Sequence, residues 1–183
     1  QDIPAEIVRD VIAWQKSRHL VYDTPITLTP GTTVGEALVL LHKRAHGAAL
    51  VTDGDRPVGI VTETDLTGVD RFTQLEDVMV RDMVSLPDGV DVESAFDTLS
   101  HARRRLAPVV TPDGRLVGIL TRPGALRAHL YSPATDDTGR LRIAAAVGIN
   151  GDVAAKAADL LDAGADTLVI DTAHGHQEKM IEA

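Results

Sequence analysis

The chain has 183 residues, 44% hydrophobic and 25% charged, with 15 Gly, 9 Pro and no low-complexity tract, which suits a globular protein of one ordinary domain, either alone or with a fragment of a second. A formal net charge of −9 with only 3% aromatic residues argues against a duplex nucleic acid as partner, because phosphate backbones need a basic face and bases need stacking platforms. Zero cysteines exclude disulfides, thiolate metal sites and thiol nucleophiles within these residues, and no apolar run approaches the ~20 residues that span a bilayer.

The start, Gln1-Asp2-Ile3-Pro4-Ala5-Glu6, lacks the basic-then-apolar order of a signal peptide, so a cytoplasmic protein without membrane or nucleic-acid partners is expected. Asp2 offers an N-cap carboxylate and Pro4 an early proline. Ile7, Val8, Val11, Ile12 and Trp14 follow at mostly helical spacing, which predicts a helix to about Arg18.

An internal repeat comes next. Tyr22-Asp23-Thr24-Pro25-Ile26-Thr27-Leu28 aligns with Val80-Arg81-Asp82-Met83-Val84-Ser85-Leu86, and Gly31 with Gly89. Val34, Ala37, Leu38 and Leu41 match Val92, Ala95, Phe96 and Leu99 at i, i+3, i+4, i+7, so two helices bury the same face. Thr33 with Glu36 has capping-box spacing, and Asp91 with Ser94 stands at the equivalent start.

With one extra residue placed before the strand in the second copy, Val51-Thr52 through Gly59-Ile60-Val61-Thr62 aligns with Val110-Thr111 through Gly118-Ile119-Leu120-Thr121. Each reads as strand, polar turn, strand. A short helix after each Thr, near Thr64-Asp65-Leu66 and Gly124-Ala125-Leu126, makes the unit β-α-β-β-α, twice.

Past Ser132-Pro133 and a polar linker, Arg140–Gly148 reads as an apolar strand, residues 152–163 as a helix, and Thr167–Asp171 as a second strand. Continuous apolarity in both strands predicts burial on both faces, as in a parallel sheet covered by helices.

Gly59-Ile60-Val61-Thr62-Glu63-Thr64-Asp65-Leu66 resembles the strand-to-helix motif of nucleotide-binding CBS (cystathionine-β-synthase-type) repeats. The resemblance implies that Thr62 and Asp65 contact a ribose; the alternative is that Thr62 is a helix N-cap and Asp65 a first-turn carboxylate. The second copy keeps Thr121 but has Gly124 where the motif has Asp, which puts a second ribose site in doubt. His42, Lys43, Arg44, His46, the run Arg103-Arg104-Arg105 and Arg122 are candidate phosphate partners, with a solvated surface role as the alternative for each. ATP, ADP or AMP is the regulatory ligand that the resemblance implies, with a guanine nucleotide left open.

The flanks carry a second resemblance. Gly139–Gly148, Ala163-Gly164-Ala165-Asp166 and Ile170-Asp171-Thr172-Ala173-His174-Gly175-His176 are similar to the barrel segment that follows the CBS insertion in IMP dehydrogenases. The implied α/β architecture is a (β/α)8 TIM barrel, present here only as fragments and interrupted by a tandem CBS pair. Residues 1–19 would be the barrel helix before the insertion, 20–77 and 78–131 the two repeats, and 132–183 a barrel β-α-β segment.

By the same resemblance Asp171, Thr172 and Ala173 at a strand's C-terminal end would line an NAD(P) site, with a helix N-cap as the alternative for Asp171. The His174 and His176 pair is weak evidence for a metal. The family attacks its purine nucleotide with a cysteine in a later barrel loop, so these residues alone are expected to be inactive, an internal stretch of a longer polypeptide. The leading reading is therefore a regulatory CBS module of an NAD-dependent IMP dehydrogenase, self-associating through repeats and barrel. The alternatives are an NADPH-dependent GMP reductase with a CBS module, a non-enzymatic adenine-nucleotide sensor, and a purely structural CBS pair.

Overall fold

The computed structural model describes residues 3–42, 47–176 and 178–182, and the chain divides into two compact units, Val21–Ser132 and Gln1–Leu20 with Pro133–Ala183. In the first of these units each copy of the repeat builds a three-stranded sheet of the same order. The first copy contains β1 (Thr27–Leu28), α1 (Val34–Leu41), β2 (Ala48–Asp53), β3 (Arg56–Thr62) and α2 (Glu63–Leu66), followed by a 3-10 turn at Leu75–Asp77. The second contains β4 (Leu86–Pro87), α3 (Val92–His101), β5 (Leu106–Val110), β6 (Leu116–Thr121) and α4 (Arg122–Leu130).

The helix starts form as their cap residues direct. Thr33 and Glu36 close a capping box, and Asp91 accepts the Ser94 N–H at 2.9 Å. The periodic apolar faces then enter two separate cores, with Val34, Ala37 and Leu41 in one and Ala95 and Leu99 in the other, all at most 1% exposed. Leu38 and Phe96 pack against these cores partly buried. A fully buried leucine such as Leu41 or Leu99 contributes roughly 1.5–3 kcal/mol.

The alignment of the hairpins needs one correction. Val51 pairs with Gly59 and Val109 pairs with Gly118, so Val51 is equivalent to Val109, not to Val110. The additional residue of the second copy sits in the hairpin turn instead of before the strand. The shared Val-Thr dipeptide is a weaker anchor than the ladder, where a one-residue slip would turn every core side chain outward.

The copies also exchange their leading segments. Asp23 and Ile119 trade two backbone hydrogen bonds, of 2.8 and 2.9 Å, so the segment preceding the first copy joins the second copy's sheet. Ile60 and Val80 do the same at 3.0 and 2.9 Å in the opposite sense. Tyr22 accordingly lies in the second core and Met79 in the first. At the hairpin tips the Leu116 N–H donates to Asp55 O at 2.7 Å and Arg115 Nε lies 3.5 Å from Asp55 Oδ2, a further tie between copies.

The other unit holds α5 (Ala5–Lys16), β7 (Ala144–Gly148), α6 (Val153–Asp162), β8 (Thr167–Asp171) and α7 (Glu178–Glu182). The N-terminal helix stops at Lys16, short of Arg18, because the Ser17 hydroxyl caps Trp14 O at 2.8 Å. Pro4 occupies its N-cap and Asp2 lies outside the described residues. β7 begins at Ala144 and not at Arg140, because Asp136 draws residues 138–140 into a turn, accepting from the Thr138 hydroxyl and the Arg140 N–H. Those two bonds, the hydroxyl first, hold the Asp136 carboxyl well below the usual carboxylate range.

β7 and β8 pair in parallel from Ala144↔Thr167 to Gly148↔Asp171. They are not buried on both faces as their apolar sequence predicts: Val147 is buried, but Val169 and Ile170 are 50% and 41% exposed. The small core gathers Ile12, Ala163 and Ala165. Lys16 Nζ, 2.8 Å from Asp166 Oδ2, pins the N-terminal helix to the turn before β8, and that contact together with the Ile143 N–H lowers the Asp166 pKa. Among the described residues no helix is long and apolar enough to cross a membrane.

Candidate functional site

The exchange of leading segments shapes a cleft of about 500 Å³ in the Val21–Ser132 unit. One wall is the end of β3 and the start of α2, with Ile60, Thr62 and Asp65. The Ile60–Val80 pairing lays Asp82, Met83 and Val84 beside it, and the approach to β5 brings Arg103, Arg104 and Arg105 from the second copy. This volume lies in the ~300–1,000 Å³ range of small-ligand sites.

Thr62 and Asp65 form a second capping box. The Thr62 N–H and hydroxyl both donate to Asp65 Oδ2 at 2.8 Å, and the Asp65 N–H reaches Thr62 Oγ1 at 3.4 Å. The capping role weighed as the alternative is therefore real, and it coexists with a place in the cleft. Asp65 Oδ1 has no hydrogen-bond partner among the described residues, which leaves an acceptor of the kind a ribose hydroxyl requires.

The arginine run is positioned by the end of α3. The Arg103 N–H donates to Ser100 O at 3.1 Å and the Arg104 N–H to Leu99 O at 2.9 Å, a Schellman closure that forces Arg103 to φ 53°. Glycine is the usual occupant of that position, and an arginine there costs about 1 kcal/mol of backbone strain. Among the described residues none of the three guanidinium groups is paired with a carboxylate. The cleft thus sets three arginines, without an ion-pair partner among the described residues, across from the Thr62 hydroxyl and the Glu63, Asp65 and Asp82 carboxylates.

Other candidates fall elsewhere. Thr121 caps α4, accepting the Gly124 N–H at 3.0 Å, and neither it nor the exposed Arg122 lines the cleft. His42 stays at the end of α1, its Nδ1 2.6 Å from Leu38 O. Lys43, Arg44 and His46 lie outside the described residues. Asp82, Met83 and Val84 were missed because only the cross-copy pairing of Val80 brings them to Thr62.

A second hollow, of about 860 Å³, opens at the C-terminal ends of β7 and β8 in the other unit, lined by Gly148, Asn150, Lys156 and Asp171 among others. Asp171 is exposed and does not cap a helix, since α7 begins only at Glu178; Thr172 is half-buried and Ala173 exposed. Lys179 Nζ donates to Asn150 Oδ1 at 2.8 Å and Lys156 Nζ to Asn150 O at 3.2 Å, so two ammonium groups stand close to that strand end. No group of three or more His, Cys, Asp or Glu suited to a metal occurs among the described residues.

Residues 9–183 match the family described as IMP dehydrogenase / GMP reductase domain. A protein of Mycobacterium tuberculosis named GMP reductase is 54% identical over 183 residues, covering 100% of this chain and 38% of that protein. An inosine-5'-monophosphate dehydrogenase of Methanocaldococcus jannaschii is 34% identical over 180 residues, covering 97% of this chain and 36% of that protein. The crystal structure of GMP reductase from Trypanosoma brucei in complex with guanosine 5'-triphosphate superimposes with a TM-score of 0.66 at 27% identity, covering 100% of this chain and 46% of that one. The chain thus spans less than half the length of these relatives.

Proposed function

The chain belongs to the IMP dehydrogenase / GMP reductase family, and from that premise we propose that it is the nucleotide-sensing unit and adjoining barrel segment of a GMP reductase, which converts GMP to IMP by NADPH-dependent reductive deamination. The observation that carries this reading is the identity over the whole chain, 54% to a GMP reductase against 34% to an IMP dehydrogenase, which reverses the order in which the sequence motifs ranked the two activities. In this reading the repeat pair is a CBS module whose Thr62–Asp65 cleft takes a regulatory nucleotide, with phosphates toward Arg103, Arg104 and Arg105. The GTP named in the Trypanosoma brucei structure makes a guanine nucleotide a natural first ligand to try.

The strand ends of β7 and β8 suit a nicotinamide dinucleotide. Asp171 is an exposed acceptor there, free of any capping duty, with Thr172 and Ala173 beside it and the Lys156 and Lys179 ammonium groups nearby to meet anionic oxygens. The dinucleotide supplies the hydride; these residues bind and orient it. Ile7, Val11 and Trp14 on the N-terminal helix are 52%, 51% and 53% exposed, and with Val169 and Ile170 they form faces that further barrel elements or a second copy would cover.

The test is an assay of the intact protein for GMP-dependent oxidation of NADPH beside IMP-dependent reduction of NAD. Turnover of the first with ammonia release is expected. Turnover of only the second restores the dehydrogenase, and turnover of neither by a folded protein leaves a sensor or structural pair.

A further inference from the structure

Asn150 is the single asparagine of the chain, and Gly151 follows it. Both are exposed, in the bend between β7 and α6, and Gly151 takes a φ of 76° that glycine adopts without strain. The Gly151 N–H donates to no group among the described residues. An unhindered backbone nitrogen therefore lies beside a side-chain amide carbon, the two atoms between which an asparagine cyclises.

The two lysines at this bend are placed where that cyclisation needs them. Loss of the Gly151 amide proton puts negative charge on Asn150 O, the carbonyl of the same peptide group, and Lys156 Nζ donates to that oxygen at 3.2 Å. Addition of the nitrogen to Asn150 Cγ puts negative charge on Oδ1, and Lys179 Nζ donates to that oxygen at 2.8 Å. Each developing charge meets an ammonium group already in position, as in an oxyanion hole, and the ring closes between groups held on adjacent residues. Of the acids around the hollow, Asp152 is engaged in capping α6 through the Ala155 N–H at 2.9 Å, and Lys179 has no carboxylate partner among the described residues.

We propose that Asn150 is a site of self-catalysed deamidation, promoted by Lys156 and Lys179. The Gly151 nitrogen bonds to Asn150 Cγ, the Cγ–Nδ2 bond breaks, and Nδ2 leaves as ammonia with the proton that Gly151 gave up. Water then opens the succinimide ring at either carbonyl and leaves an aspartate or an isoaspartate at position 150. A carboxylate then stands where a neutral amide bridged two ammonium groups, so the rim of the hollow loses one unit of positive charge. On the dinucleotide reading of β7 and β8 this change opposes an anionic ligand, but the deamidation itself does not rest on that reading.

The test is to age the intact protein at mildly alkaline pH and release Ile143–Lys156 with trypsin, a peptide in which Asn150 is the one amide side chain. Mass spectrometry reads the amide-to-acid mass gain. It should accumulate faster in the native protein than in the same protein unfolded in guanidinium chloride, where the lysines are no longer held at the two oxygens. Lys156→Met and Lys179→Met should each slow the native rate about fivefold, the scale of one exposed charged contact, whereas Lys179→Arg should stay near the parent rate. Asn150→Gln should show almost no gain, and circular dichroism confirms that each variant is folded. A native rate at or below the unfolded one, or lysine-to-methionine variants that age as fast as the parent, overturns the inference.

Discussion

Gly118 in β6 lies directly beneath the exchanged segment, and replacing it by alanine tests whether that exchange holds the unit together. A Cβ at Gly118 would stand 2.9 Å from Tyr22 Cβ and 3.2 Å from Asp23 O. Tyr22 cannot swing aside, because it is 6% exposed in the second core and its hydroxyl accepts the Gly89 N–H at 2.8 Å. The backbone of Tyr22–Asp23 must retreat instead, which strains both hydrogen bonds between Asp23 and Ile119. Overpacking of about 1–3 kcal/mol plus a net 0.5–1.5 kcal/mol for a weakened hydrogen bond gives an expected loss of about 2–4 kcal/mol for Gly118→Ala. The equivalent Gly59 faces the Met79 side chain, with Cγ at 2.8 Å, and a flexible thioether can repack, so Gly59→Ala should lose only about 1 kcal/mol. Urea unfolding followed by circular dichroism reads both as shifts in midpoint at constant slope. If Gly118→Ala were no more damaging than Gly59→Ala, the claim that a rigid aromatic anchor fixes the crossing segment would be wrong.

The helix caps give a second comparison: Thr62→Ala and Thr121→Ala should each lose about 1 kcal/mol of stability by the same urea assay, while calorimetry finds nucleotide affinity reduced only by the first. Leu99→Ala, at a fully buried site, should lose about 2–5 kcal/mol, whereas Leu126→Ala, at a position 43% exposed, should stay within about 1 kcal/mol; equal losses would misplace the second core. Acid stability should depend on Asp136 and Asp166, whose carboxyl groups are held below their ordinary value, the first by the Thr138 hydroxyl and Arg140 N–H, the second by Lys16 and the Ile143 N–H. A lowered native pKa stabilises the fold above the unfolded-state value and loses that contribution as pH falls through the native one, so urea midpoints should decline between about pH 5 and 2. Asp136→Asn should make that decline shallower, and an unchanged slope would remove Asp136 from the account.

Much of the fold was legible because it is written in short-range chemistry. The i, i+3, i+4, i+7 faces of α1 and α3, the caps at Thr33 and Asp91, and the Thr62–Asp65 spacing all concern residues within about two turns of one another, where side-chain and backbone geometry leave few choices. Duplication was legible for the same reason, since the same local signals occur twice. The flanking strands were found, but their two-sided burial was not, because apolarity records what a strand needs covered and not whether the covering element lies within these residues.

The sequence by itself determined a repeated β-α-β-β-α unit, its helix starts, its family and the pair Thr62–Asp65. Only the tertiary structure decided that the leading segment of each copy joins the other's sheet, that the additional residue falls in a hairpin turn, and that Arg103–Arg105 of one copy face Thr62 of the other. These depend on pairings such as Asp23 with Ile119, far apart along the chain. No local periodicity encodes such a pairing; it is chosen by which arrangement buries Tyr22 and Met79 while pairing backbone groups at the strand edges, as Asp23 with Ile119 and Ile60 with Val80 do.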